Sequence, residues 1–134
     1  SCFERVGLRY LNFVSRRDLD LEGVPFRELF QPCYLGILAE DDVNEAGTTR
    51  CCVDVELNLP GGCKGKFMPA PVWPPERQQD PEIKFVFDQD LSMSGNVPVQ
   101  YSAGALHTLH AQSFPIFRGA VTDRLHEAME PIDE

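Results

Sequence analysis

Two histidines three residues apart on a helix can share a metal ion, and His107 and His110 stand at that spacing. They run with Leu106 and Leu109 on one stripe, however, where a histidine is ordinarily a packed, hydrogen-bonded core residue, so no metal is expected. A second set of groups could do proton chemistry. Asp88 and His110 would serve as general acid and base with Arg9 as an anion clamp, and Asn12 and Asp90 would complete the polar site. Such a site would suit a hydrolase-like enzyme. No nucleophile elbow or phosphate-cradling glycine loop accompanies it, and Gly61-Gly62 leads into a proline-rich stretch rather than a helix. The run from Asp88 to Gly95 has the outline of a calcium loop, but its glycine is misplaced and Val99 stands where the bidentate Glu is needed. The cysteines, Cys2, Cys33, Cys51, Cys52 and Cys63, are odd in number and lack C-x-x-C spacing. Free thiols are expected, with no zinc and no cofactor.

The elements that must position these groups follow from hydrophobic periodicity. Residues 6–14 alternate as a strand, with Val6, Leu8, Tyr10 and Val14 on one face and Arg9, Leu11 and Phe13 on the other. Apolar residues on both faces predict a central strand. Val24 to Phe30 reads as a short helix with Pro25 in its first turn, and Cys33 to Ala39 as a second strand. The acidic stretch Glu40 to Gly47 reverses the chain, and residues 50–59 alternate cleanly as a half-buried antiparallel strand. Residues 60–82 are the least regular, with one short strand at Lys66–Met68 and five prolines around Trp73. Pro71-Val72-Trp73-Pro74 fits a PxxP ligand, a match common by chance, so Trp73 is expected to pack back on the core.

Ile83 to Leu91 forms the last strand, closed by Ser94-Gly95-Asn96. Ser102 caps a helical segment to about Met129, whose stripe is Leu106, Leu109, Ser113, Phe117, Ala120, Val121, Leu125 and Ala128. Pro115 should kink it near Ala111 or split it, and Thr122-Asp123 falls mid-helix. Strands first and a helix last predict an α+β domain spanning residues 1–134, a mostly antiparallel sheet with a long C-terminal helix on one face. Strand parity then places Leu8, Tyr10, Val53, Val55, Phe85 and Phe87 under the helix. Arg9, Asp54, Glu56, Lys84, Asp88 and Asp90 go to the opposite face, where Arg9 should pair with Asp88 or Asp90.

Composition narrows the function classes. The 134 residues, 43% hydrophobic and 25% charged, suit one globular domain. Twelve Lys and Arg against twenty-one Asp and Glu give a formal charge of −9, which repels phosphate backbones and anionic lipid. Neither nucleic acid nor membrane is an expected partner; a basic protein surface is. No apolar run nears the ~20 residues of a spanning helix. The chain opens on Ser1-Cys2-Phe3-Glu4 and enters a strand pattern at once, which reads as part of a longer protein.

Val6-Gly7-Leu8-Arg9-Tyr10-Leu11-Asn12 resembles a G-L-R-Y-x-N strand, and Phe87-Asp88-Gln89-Asp90 an L-D-x-D strand. Leu106-His107-Thr108-Leu109-His110, followed by Phe117 and Val121-Thr122-Asp123, resembles an L-x-x-L-H…F…[IV]-T-D helix. Together they resemble the C-terminal half of a sporadically distributed family of uncharacterised prokaryotic proteins. The resemblance implies a missing N-terminal half and a cytoplasmic location, and no reaction. The expected function is a non-catalytic binding or assembly domain. Its own N-terminal half would be one partner, and a homodimer would cover the outward Leu11 and Phe13.

Overall fold

A computed structural model of the chain describes residues 1–72 and 81–130. Strands β1 (Cys2–Val14), β2 (Val55–Leu59), β3 (Cys63–Val72) and β4 (Lys84–Pro98) are followed by helices α1 (Ser102–Ala120) and α2 (Asp123–Met129). The strands form one antiparallel sheet in the order β1-β4-β3-β2, and α1 packs across β1 and β4. The expected α+β architecture, an antiparallel sheet with a long C-terminal helix on one face, is the one observed.

Alternation decides which side of each strand is covered. Val6 and Val14 of β1, Phe67 of β3, and Phe85, Phe87 and Leu91 of β4 are buried toward the helix. At one end of that layer Phe85 stacks on Phe30 at 4.1 Å and meets Phe26 edge-on at 5.1 Å. At the other, Phe87, Leu91, Val97, Ala105 and Leu109 join sheet to α1. The strand expected to be central, β1, lies at an edge of the sheet; β4 and β3 hold the middle. The apolar residues on its second face, Leu11 and Phe13, signalled exposure rather than a second covering layer.

Prolines set the shape of the other edge. Val53 donates its N–H to the Pro69 carbonyl at 3.3 Å, and Pro69 has no N–H to return. The β2 ladder therefore ends at Val55 opposite Phe67, and residues 51–54 run beside β3 outside the ladder, held by the Val53 bond. Pro69 and Pro71 share that orientation, so their missing donors leave the β3–β4 ladder whole, and β3 extends well past the short strand expected at 66–68. Trp73 and Pro74 of the PxxP stretch lie outside the described residues.

Three further expectations change. Residues 33–39 form 3₁₀ turns at Pro32–Tyr34 and Gly36–Ala39 instead of a strand. The left-handed Gly36 breaks any extended run there, and Leu35 and Leu38, one turn apart, are the buried residues. Only Phe26–Glu28 of the expected short helix is helical, again as a 3₁₀ turn. Ser94-Gly95-Asn96 does not close β4. Gly95 and Asn96, with φ of 97° and 61°, accommodate one extra residue opposite β1 between the pairs Arg5–Ser94 and Phe3–Val97, a bulge through which β4 continues.

The helical segment breaks after Ala120 rather than at Pro115. Pro115 and Ala111 are both exposed, so the carbonyl left without a donor faces water and α1 runs on. Val121 leaves the helix to bridge Phe30, while Gln31 donates to the Ala120 carbonyl and Thr122 to the Leu29 carbonyl. Thr122 is thus not mid-helix. Its hydroxyl donates to the Glu28 carbonyl at 2.7 Å and accepts from the Leu125 amide at 3.4 Å, capping α2. Ser102 is the first residue of α1 rather than its cap, and its hydroxyl turns back to the Val99 carbonyl. On the stripe, Leu109, Ser113, Ala120, Val121 and Leu125 are buried, but Leu106 is exposed and Ala105 takes its place.

Candidate functional site

The sheet separates the predicted polar residues into two groups. Arg9, Asp88 and Asp90 project from the side away from α1. Arg9 holds Asp88 through both carboxylate oxygens, Nε to Oδ1 at 3.0 Å and Nη2 to Oδ2 at 2.7 Å. Asp90 is taken by Arg5 at 3.0 Å, a residue sequence reasoning did not single out. Arg5 lies flat because Gly7 has no side chain: a Cβ there would stand 2.6 Å from the Arg5 guanidinium. The hydrogen bonds it donates to Asp88, the charge of that carboxylate, and more weakly that of Asp90 hold the Arg9 guanidinium above its ordinary range. Arg9 remains 62% exposed and covers Asp88, which is 16% exposed.

Asn12 and His110 lie on the helix side. His110 projects from α1, and its Nδ1 is 2.5 Å from the Tyr10 hydroxyl, with the rings tilted at 5.8 Å. The imidazole is exposed and hydrogen-bonded, not packed in the core. Because Tyr10 and Arg9 are neighbours on one strand, their side chains leave opposite faces, and the sheet stands between His110 and Asp88. The acid–base group expected from these residues does not converge. His107 is exposed one turn away, and among the described residues no cluster of three metal-capable side chains forms.

Across the open face the cross-strand pairs fall into rows. Arg9, Asp90, Lys66 and Glu56 make one row, and Lys64 bonds Glu56 from the next at 3.2 Å. Toward the other end the rows turn apolar: Leu11, Asp88 and Met68, then Phe13, Val86 and Ala70, with Val72 beyond. Phe13 is 62% exposed, and Leu11, Met68 and Val72 are exposed as well. This apolar strip beside a strip of ion pairs is the chemically distinctive surface of the domain. Its signal in the sequence was the apolar second face of β1.

Two other features are structural in character. Arg16, from the Arg16-Arg17 doublet, stacks over the Phe26 ring at 3.7 Å and bonds Glu45 at 2.5 Å and the Val24 carbonyl at 2.9 Å. Glu45 also accepts from the Phe26 amide, so the acidic loop is pinned to the core beside a shallow cleft of about 440 Å³. Burial works to raise the Glu82 carboxyl in the same cleft. Bonds from the Arg17 amide and Ser15 hydroxyl, with the charges of Arg17 and Lys84, outweigh it and hold Glu82 below its ordinary value. The five cysteines are free thiols, and burial with the Asp54 charge pushes Cys52 up, away from the reactive thiolate.

No family model, curated protein or solved structure matches the chain. Among the described residues no helix is long and apolar enough to cross a membrane.

Sequence reasoning also missed Gln89. It sits between Phe87 and Leu91 on the covered face of β4, 1% exposed, with its side-chain carbonyl unpartnered. A single amide in an otherwise apolar parity was the available signal.

Proposed function

We propose that this chain is a non-catalytic binding or assembly domain that docks its partner on the open face of the sheet. It would form the C-terminal half of a member of the cytoplasmic prokaryotic family that its motifs resemble. The observation that carries this reading is the exposed strip of Leu11, Phe13, Met68 and Val72 around Val86, set on one face of the sheet beside ion pairs. A contiguous apolar patch rimmed by polar groups on a water-soluble face is the usual mark of an interaction site. The ion pairs supply the polar rim, and the sheet supplies one continuous surface. The hydrolase-like alternative loses its support from the same geometry, since Arg9 and Asp88 are committed to each other on one face and His110 to Tyr10 on the other. A basic partner surface suits the acidic chain in general but not this face, where arginines and lysines concentrate.

The test is oxidative footprinting. Phe13 and Met68 should label more slowly in the intact protein inside cells than in the purified chain at nanomolar concentration. Equal labelling in both settings would overturn the reading.

A further inference from the structure

We infer that the outer edge of β1, with the flank of α1 above it, pairs antiparallel with the same edge of a second copy and joins two four-stranded sheets into one. β1 is the long edge of the sheet, 13 residues against five in β2 at the other edge. Proteins blunt long edges with prolines, lysines, bulges or a covering segment, because free N–H and C=O groups template further pairing. β1 has no proline and no lysine, and the extra residue of its one bulge belongs to β4. Pro69 turns its carbonyl to Val53, so its partner Phe87 bonds across to Asn12. By alternation the backbone groups of Gly7, Arg9, Leu11 and Phe13 point outward, and among the described residues none of them has a partner.

The helix above this edge selects the occupant. Leu106, His110 and Phe114 follow at steps of four and form one stripe along α1, which the bond between Tyr10 and His110 turns to the β1 side. Phe114 is 70% exposed and Leu106 37%. A lone peptide strand added to β1 would leave this stripe in water; a second copy brings both a strand and a helix. Outward groups meet outward groups only when a two-fold axis, perpendicular to the sheet, passes through a residue rather than between two. An axis through Tyr10 also passes His110, so both layers share one centre, and Leu106 of each copy meets Phe114 of the other. Phe13 then lies opposite Gly7, the bare position already covered by the Arg5 guanidinium, and its ring shields that cation. Arg9 falls opposite Leu11. An axis through Arg9 would oppose the two arginines, and one through Leu8 would slide the helix stripes ~13 Å out of step. α1 lies over β1 and β4 alike, ~2.4 Å inside the edge strand, so strands paired at ~4.8 Å hold the two helices ~10 Å apart. Helices pack at about 8–10 Å. The ladder from Val6 to Val14 runs ~30 Å, and sheet plus helix stand ~20 Å high, ~600 Å² from each copy with about eight ladder hydrogen bonds. Both figures fall within the range of stable interfaces.

Sedimentation equilibrium of the purified chain should find a dimer at micromolar concentration. Leu11→Pro removes an outward N–H and, like Pro69 and Pro71 in β3, leaves the inner ladder whole. Phe114→Glu sets a carboxylate on the exposed stripe without touching the core. Each change enters the contact twice and should raise the dissociation constant on the order of 100-fold. Met68→Glu, on β3 and outside the contact, should alter it by no more than about twofold. In hydrogen exchange the amides of Gly7, Arg9, Leu11 and Phe13 should be slower at micromolar than at nanomolar concentration. A chain still monomeric at roughly 100 micromolar overturns the inference, as does a dimer whose β1 amides exchange no more slowly than the monomer's. A Phe114→Glu variant that dimerises like its parent overturns it too. A dimer lost on Met68→Glu instead places the second copy on the open face and refutes edge pairing. If Leu11→Pro does not keep the parent far-ultraviolet spectrum, Phe114→Glu and the exchange rates decide. The open-face reading stands or falls separately, on the labelling of Met68 in cells, because Met68 lies outside this contact.

Discussion

Phe85 and Phe13 are the same side chain on adjacent strands, and removing each ring should have opposite consequences. Phe85 is 0% exposed, stacked on Phe30 at 4.1 Å and edge-on to Phe26 at 5.1 Å, in the cluster that joins β4 to the 26–30 turn and α2. Phe85→Ala loses the transfer free energy of the ring and leaves a cavity between two other rings, about 3–5 kcal/mol. The lost aromatic geometry contributes up to about 1 kcal/mol of that range. Small domains are stable by about 5–15 kcal/mol, so this substitution removes roughly a fifth or more of the total. With a urea dependence of about 1.5 kcal/mol per molar, the midpoint should fall by roughly 2–3 M. Phe85→Leu, which keeps most of the volume, should cost about 1–2 kcal/mol and guards against a chain that does not fold at all. Phe13→Ala, with the monomer kept at nanomolar concentration, should change stability by less than about 0.5 kcal/mol, because that ring has little packing to lose. Urea melts followed by circular dichroism decide the matter. A Phe85→Ala cost below about 1.5 kcal/mol, or a Phe13→Ala cost above about 2 kcal/mol, would refute the assignment of faces.

Two further outcomes follow from the loops. Thr122→Ala removes the α2 cap and the bond to the Glu28 carbonyl and should cost about 1–2 kcal/mol in urea melts; Thr122→Ser should recover most of it, and equal loss in both would exclude capping as the cause. Glu82, whose folded-state carboxyl is held low, should contribute stability above the ordinary glutamate range and lose it as pH falls through its depressed value. Ser15→Ala removes a hydrogen bond to the ionised form and should move the Glu82 titration upward by NMR; an unmoved titration would mean the bond is not made.

What the sequence determined by itself was local and periodic. Alternation along 6–14 and 83–91 is a property of neighbouring residues, and it sufficed to place Arg9, Asp88 and Asp90 on one face and Phe85 and Phe87 on the other. The helix stripe from Leu109 to Leu125 was legible for the same reason, and so was the α+β order of elements. The tertiary structure decided everything that depends on a partner elsewhere in the chain. Whether β1 is central or an edge depends on which strands its hydrogen bonds meet, and apolar residues on both faces fit either case. Ser94-Gly95-Asn96 has turn chemistry, yet β1 runs alongside it and converts the turn into a bulge. The break at Thr122 rather than Pro115 arises because Leu29 and Phe30 offer the Val121–Thr122 backbone a bridge that outcompetes one more helical turn. The separation of His110 from Asp88 was, by contrast, already implied by parity, because Asp88 was expected on the face away from the helix that carries His110; what the fold adds is Tyr10 as the partner of that imidazole.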